Sequence, residues 1–291
     1  MLMIKNYIGK LRTLRVPGLR NPKPVVAVLR LSGVIGQMGN PLRQGLTSAA
    51  LVRSIERAFA LPKLKAVALQ INSPGGSPVQ SSLIFKRIRS MAEEKDIPVV
   101  AFAEDVAASG GYMLACAADE IFADESSVLG SIGVISAGFG FVELLEKIGI
   151  ERRIHTEGKN KSMLDPFLKE RPQDVRRLKE LQGDIYKTFT QIVKSRRGDR
   201  LTMPEDKLFT GEFWTGRKAL EMGLIDGIGE LTSVMQERYG DRVRFRPVVE
   251  RKSWLKQRFA TWLPQQPNIE GWACDLIAAI EERSLWSRFG L

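Results

Sequence analysis

The chain has 291 residues, 44% hydrophobic and 26% charged, a composition typical of globular proteins and unlike that of collagens, coiled coils or disordered polymers. Its two cysteines and single histidine cannot supply the ligands of a Cys/His zinc site, so no metal site is predicted. The net charge is +11, and much of the excess lies near the two ends of the chain.

Residues 1–23 form a predicted basic tail. They include Lys5, Lys10, Arg12, Arg15 and Arg20 and no acidic residue. Such a tail is either solvated or held against anionic lipid headgroups. The tail contains neither an apolar run of roughly 18–20 residues, the length that spans a bilayer, nor a signal-peptide core. The predicted location is therefore cytoplasmic, with peripheral contact at the inner membrane as a further expectation.

From residue 24 onward, short apolar runs alternate with helical patterns. Strands are predicted at 25–29, 65–71, 98–103, 120–123 and 152–156, and helices at 47–60, 77–94, 109–118 and 172–196. Residues 211–229 are predicted as a turn, a helix and a second turn. This alternation indicates an α/β domain with a largely parallel sheet, spanning residues 24–250, because parallel neighbours need long crossover connections.

Residues 251–291 differ in composition and are predicted to form an amphipathic, Trp-rich helical extension. On a helix that begins at Ser253, an apolar face would contain Trp254, Leu255, Phe259, Trp262 and Leu263. Basic residues lie near the opposite face, a pattern typical of helices at a membrane surface. Packing against the core or against a second subunit would account for the same face.

Two glycine-rich turns follow predicted strands, at residues 72–76 and 107–111. Glycines allow backbone amides to approach a ligand, and a helix N-terminus adds unpaired donors, so such turns can stabilise an oxyanion. Ser109 lies in the second turn, where its hydroxyl could attack a carbonyl. The alternative is that Ser109 caps the helix that begins there.

A nucleophilic serine needs a base, and the only histidine, His155, fits better as a strand residue. A lysine can replace histidine if its surroundings keep the amine neutral. Lys159 and Lys161 are close candidates after the predicted strand at 152–156. Most lysines of a basic chain are solvated, so the residues alone do not decide between them.

Five sequence blocks, at residues 72–76, 107–112, 130–134, 158–162 and 209–226, resemble in order those of the signal peptide peptidase A family. The resemblance covers about residues 24–231. It implies the Clp protease/crotonase-like α/β fold, with repeated β-β-α units and, here, a helical C-terminal extension.

Carried over by position, the resemblance implies that Ser109 is the nucleophile and Lys161 the general base of a serine endopeptidase. Gly76 and Gly110 would supply the oxyanion-hole amides, and the Ser131 hydroxyl would position the lysine. The family's spacing between glycine and lysine selects Lys161 over Lys159. The reaction would proceed through an acyl-enzyme and needs no cofactor.

In this family, serine and lysine come from neighbouring units of a ring. We therefore expect a homo-oligomer, such as a dome-like octamer, that admits peptides or unfolded segments, remnant signal peptides among them. Many relatives carry an N-terminal membrane anchor, which is not predicted for this sequence, so its two ends are expected to take over any membrane contact.

Two other function classes remain open at this point. A crotonase-like acyl-CoA enzyme would share the fold and often uses carboxylates; Glu104 and Asp105 lie near the Ser109 turn and could be misread as such acids, but the Ser109 and Lys161 blocks favour the peptidase. A non-catalytic membrane-associated scaffold would use the basic charge alone. No motif of nucleic-acid recognition occurs, so no nucleic acid is predicted as a partner.

Overall fold

A twisted, mainly parallel β-sheet organises the computed structural model, which describes residues 23–37, 45–248, 279–280 and 282–291. Within these residues the sheet has eight strands, named β1 to β8 in chain order. They are Val25–Ser32, Leu64–Ser73, Val99–Ala108, Glu120–Ala123, Val128–Gly130, Phe213–Thr215, Gly227–Ile228 and Arg244–Pro247.

Helices connect the parallel strands and cover the sheet. Between residues 45 and 248 the α-helices, α1 to α8, are Ser48–Phe59, Pro78–Lys95, Gly110–Ala115, Val142–Lys147, Pro172–Arg197, Glu205–Leu208, Gly216–Glu221 and Leu231–Tyr239. The predicted α/β class is confirmed, as are the helices predicted at 47–60, 77–94 and 172–196. No helix in the described part of the chain is both long enough and apolar enough to cross a membrane.

Strand β3 determines where the sheet divides. The sheet runs in the order β6-β5-β3-β2-β1-β8, and β4 pairs with both β3 and β7. Residues 100–103 of β3 pair with β4, whereas residues 106–108 pair with β5. Between these two parts, Glu104 and Asp105 belong to a bulge, because β2 advances from Ile71 to Ser73 while β3 advances from Ala103 to Ala107. The far end of β3, which leads to Ser109, is thereby separated from β4.

Alternating side chains of the central strands fill two cores. Leu29 and Leu69 belong to the larger core, which the long helices α1, α2 and α5 cover. Val28 and Ala68 face the other way, into a smaller core closed by Met235 of α8. Successive residues of a strand point to opposite faces, so apolar runs that are buried on both faces are expected for parallel strands.

The strand predicted at 152–156 is wrong. These residues have no regular secondary structure and are mostly exposed. Ile154 is the one apolar residue of this run, beside Arg152 and Arg153, and within the described residues the run pairs with no strand. The helix predicted at 109–118 is shorter than expected, since α3 spans Gly110–Ala115 and turns follow it.

Most of the basic tail at 1–23 and the apolar face of the helix predicted from Ser253 lie outside the described residues. The division of the chain into tail, domain and extension stays a prediction. Part of the extension, residues 282–291, is described and begins with a short helix at 282–287.

Candidate active site

The backbone of Ser109 is held in a strained turn between β3 and α3. Its φ of 51° and ψ of −120° lie in a region that costs a residue other than glycine on the order of 1–3 kcal/mol. The Ser109 amide donates to the carbonyl of Gly130 at 2.8 Å, and its carbonyl accepts from the amide of Met113 at 3.0 Å. Bonds from a strand on one side and a helix on the other therefore maintain the strain.

The Ser109 side chain is free for chemistry. It forms no capping hydrogen bond to α3, so the alternative assignment of Ser109 as a helix cap is wrong. The residue is partly exposed and lines a cavity of about 230 Å³. Gly76, Gly110 and Ser131 line the same cavity, so four of the five residues implied by the resemblance lie together.

Glycines at positions 75 and 76 are required by close packing. A Cβ on Gly75 would lie 2.8 Å from the Cβ of Ser109, and one on Gly76 would lie 2.0 Å from the carbonyl oxygen of Ile35. Their φ values of 104° and 142° also disfavour any residue with a side chain. The turn thus brings its backbone directly against Ser109.

The amides of Gly76 and Gly110 are available as donors. Next to Gly76, the Ile35 amide donates to the Gly75 carbonyl, and the Ser77 amide donates to the Ile35 carbonyl. Within the described residues, the Gly76 amide itself donates no hydrogen bond. Gly110 is the first residue of α3, where an amide has no acceptor within the helix. Both residues border the cavity beside Ser109, an arrangement suited to a developing oxyanion.

Ser131 enters the cavity from the loop after β5. Its φ is 52°, it is buried, and its amide donates to the carbonyl of Glu212 at 2.6 Å. The preceding Gly130 supplies the carbonyl that anchors the Ser109 amide. One short strand therefore holds the positions of both serines.

An apolar wall of the cavity was missed from the sequence. Met113 of α3 and both Ile185 and Phe189 of α5 line the cavity together with the glycine turns. The spacing of Ile185 and Phe189, four residues apart on a predicted helix, marks a shared face. That spacing does not show that the face covers the Ser109 turn, because the two segments are distant in sequence.

Lys161 lies apart from this cavity within its own chain. It belongs to a run of turns at 158–164, where its amide donates to the carbonyl of Gly158 at 3.1 Å, and its side chain is exposed. Neither Lys161 nor Lys159 is among the residues that line the Ser109 cavity, and His155 is exposed and absent from it too. In one copy of the chain, the predicted base therefore does not border the cavity that Ser109 lines.

The carboxylates considered for crotonase-like chemistry belong to a different cavity, of about 550 Å³. Glu104 accepts a hydrogen bond from the side-chain amide of Gln70 at 2.8 Å and pairs with Arg30, while Asp105 accepts from the side-chain amide of Asn72 at 2.7 Å. In the described part of the chain, no carboxylate lines the Ser109 cavity. This placement does not support an acyl-CoA reaction with these acids beside the glycine turns.

The Cys116 thiol and the Tyr112 hydroxyl serve packing. Burial raises the pKa of Cys116 to about 12, so its thiol stays protonated and is a poor nucleophile near neutral pH. Tyr112 is fully buried and donates to the carbonyl of Leu224 at 2.7 Å. Burial likewise raises the pKa of Tyr112 well above its usual value.

Residues 91–241 match the family described as Peptidase family S49. The chain is 31% identical over 261 residues to the putative signal peptide peptidase SppA of Enterococcus faecium, covering 84% of this chain and 74% of that protein.

A Brucella melitensis protein named Na(+)/H(+) antiporter NhaA is 45% identical over 289 residues, covering 97% of this chain. The match covers only 39% of that longer protein. The name therefore refers to a protein of which only a part is similar to this chain.

A mutant of the 1510-N membrane-bound stomatin-specific protease, solved with a substrate peptide, has a similar fold. The TM-score is 0.50 at 16% identity, and the alignment covers 84% of this chain and all of that one. At this identity the likeness extends to the fold alone. It agrees with the Clp protease/crotonase-like architecture expected from the sequence.

Proposed function

This chain belongs to peptidase family S49, and from that membership we propose that it hydrolyses peptide bonds with Ser109 as nucleophile. The observation that carries the proposal is the Ser109 cavity. A strained serine without a capping bond faces the same space as two glycines whose amides are free to donate.

The proposed reaction has two steps. The Ser109 oxygen attacks the peptide carbonyl carbon, and the amides of Gly76 and Gly110 stabilise the negative charge that develops on the carbonyl oxygen. The base takes the serine proton during this attack and then gives it to the leaving amine. The amine departs, and the remaining acyl group stays bound to Ser109 as the acyl-enzyme. Water then attacks the ester, and the acid product and the free serine are released.

Lys161 is the proposed base, and we propose that it comes from a neighbouring copy of the chain. Its exposed position, away from the Ser109 cavity of its own chain, supports this arrangement. Residues 133–170, here called the projecting segment, contain no buried residue. Large apolar side chains are exposed along it, a pattern typical of association surfaces: Ile135, Phe139, Leu144, Ile148, Ile150 and Leu168. In a ring of copies, Ser131 would then position the arriving amine.

The proposed substrates are extended peptides and unfolded segments. The apolar wall made by Met113, Ile185 and Phe189 suits an apolar side chain next to the bond that is cut. Remnant signal peptides are apolar segments of this kind, and the name of the Enterococcus relative agrees with them. Peripheral membrane contact stays a prediction, because most of the residues expected to make it lie outside the described ranges.

Covalent labelling combined with peptide cleavage tests the nucleophile. We expect a fluorophosphonate probe to label the wild-type protein on Ser109, and Ser109→Ala to lose both labelling and cleavage by at least about 10⁴-fold. Ser90→Ala, on the exposed face of α2, is the matched control and should keep both. Cleavage that persists in Ser109→Ala would overturn the assignment.

A further inference from the structure

Residues 282–291, here called the 282–291 segment, pack beside strand β6, and one of them, Arg288, lines the Ser109 cavity. The helical residues 282–287 lead into a turn, where the amide of Gly290 donates to the carbonyl of Ser287 at 3.2 Å. The Phe289 ring meets the Phe213 ring edge-on, with centroids 5.1 Å apart. Phe213 in β6 pairs directly with Gly130, the residue whose carbonyl anchors Ser109.

This contact places Arg288 in the wall of the Ser109 cavity. Among the described residues that line the cavity, Arg288 is the only charged one; the others are glycines, apolar residues and hydroxyl residues. Arg288 is exposed and forms no ion pair within the described part of the chain. An unpaired guanidinium thus borders the space in which a peptide would meet Ser109.

We propose that Arg288 is a specificity-determining residue that binds a carboxylate of the substrate close to the bond that is cut. This inference rests on the proposed peptidase function. A guanidinium binds a carboxylate through parallel N–H donors, and arginine keeps its charge at every working pH. Peptides with a carboxylate there are cleaved faster than neutral isosteres, because Arg288 is not matched by any acidic residue lining the cavity.

The carboxylate has two sources, an acidic side chain or the free end of a peptide. In one series of peptides, a single Asp is placed at each position around the cleavage point in turn. Each of these peptides has a partner with Asn at the same position. A second series carries a terminal acid or a terminal amide at increasing distance from that point. The position at which the acid is preferred over its neutral partner identifies the source.

The variant Arg288→Gln removes the charge from an exposed position and should leave the fold unchanged. We expect kcat/KM for the preferred acidic peptide to fall about five- to tenfold, and for the neutral peptide to change less than about twofold. Arg288→Lys should retain part of the preference. Arg283→Gln, exposed on the same segment, is the matched control and should behave as the wild type.

Each outcome decides a separate question. If the wild type cleaves no peptide, the proposed function fails. If the wild type cleaves peptides without any acidic preference, or if Arg288→Gln keeps that preference, the role of Arg288 is wrong while the peptidase function stands. An equal loss for all peptides with a shifted pH profile would place Arg288 beside the base instead, and would also overturn the inference.

Discussion

The two residues proposed for the reaction lie in regions of opposite character. Residues 99–132, which carry Ser109, are mostly buried, and hydrogen bonds from β5 and α3 determine the position of the serine. The projecting segment, which carries Lys161, has no buried residue. Packing within one chain therefore positions Ser109, Gly76 and Gly110 around one cavity, whereas the proposed role of Lys161 as base requires a second copy of the chain.

The largest expected effect is a loss of activity without a loss of stability, at Lys161 in the projecting segment. We expect Lys161→Met to lower kcat by about 10⁴-fold, because the serine loses its base, while the midpoint of thermal unfolding stays unchanged. Lys159→Met, two residues away on the same run of turns, is the matched control and should stay within about threefold of the wild type. Activity lost in Lys159→Met and kept in Lys161→Met would reverse the assignment.

Asp226, which holds a buried arginine, should show the opposite behaviour. This carboxylate binds Arg197 at 2.7 Å and Arg200 at 2.9 Å and accepts from the amide of Ile121 at 2.8 Å. Arg197 is only 2% exposed. We expect Asp226→Asn to lower the free energy of unfolding by about 3–5 kcal/mol, because a buried guanidinium loses its counter-charge. Chemical denaturation measures the loss, and the exposed Asp241→Asn should stay within about 0.5 kcal/mol of the wild type.

The Asp226 carboxylate also determines part of the dependence of the free energy of unfolding on acidic pH. Burial raises the pKa of Asp226, but hydrogen bonds from Arg197 and Arg200 outweigh burial and hold this pKa below its usual value. A lowered folded-state pKa contributes stability that is present above the unfolded value, about 3.9, and is lost as the pH falls through the folded value. We expect the difference in stability between wild type and Asp226→Asn to be constant above about pH 5 and to shrink below it. A difference that grows on acidification would contradict this account.

Gly76 tests how closely the turn must approach the serine. A Cβ at position 76 would meet the carbonyl oxygen of Ile35, so Gly76→Ala must displace the turn and its amide. We expect kcat to fall by about 10²-fold, the loss typical of one oxyanion donor. Gly33→Ala is the matched control, since Gly33 also has a positive φ, 108°, but a Cβ there meets nothing within 4 Å. An equal loss of activity in both variants would mean that backbone strain, not the clash, is responsible.

The smallest effect on folding is expected at Phe139, which is 82% exposed in the projecting segment. Phe139→Ser should change the free energy of unfolding by less than about 0.5 kcal/mol, because the ring buries little surface in its own chain. Sedimentation velocity should nevertheless show weaker self-association if this surface binds a second copy. Unchanged association together with a loss of stability would refute this role for the segment.

The sequence predicted the helices and buried strands of the sheet better than it predicted the projecting segment. Thr47 accepts from the amide of Ala50 at the start of α1, as its capping role predicts, and the apolar strands pair as a parallel sheet. Local patterns determine such elements because burial and capping act over short distances in the chain. The strand predicted at 152–156 was wrong because a run with one apolar residue, Ile154, has little side-chain surface to bury, and a short local pattern carries no information about whether a pairing edge exists.

The candidate site also has a part that local sequence motifs predict and a part that they do not. The glycine turns and Ser109 lie together because each follows a parallel strand, and the carboxyl ends of such strands meet at one edge. The contributions of Ile185, Phe189 and Arg288 depend on contacts between distant segments, which no local motif encodes. The proposed relation of Lys161 to Ser109 would depend on contacts with a second copy, which neither a local motif nor the fold of one chain encodes.

A subunit-mixing experiment tests the central claim most directly. Ser109→Ala and Lys161→Met are purified separately, dissociated, combined in equal amounts and reassembled, and peptide cleavage is compared with that of each variant treated alone. If the serine of one copy uses the lysine of the next, random mixing pairs two intact residues in about one quarter of the sites, so about one quarter of wild-type activity should return. Assembled mixtures that remain as inactive as the separate variants would contradict a dyad shared between copies.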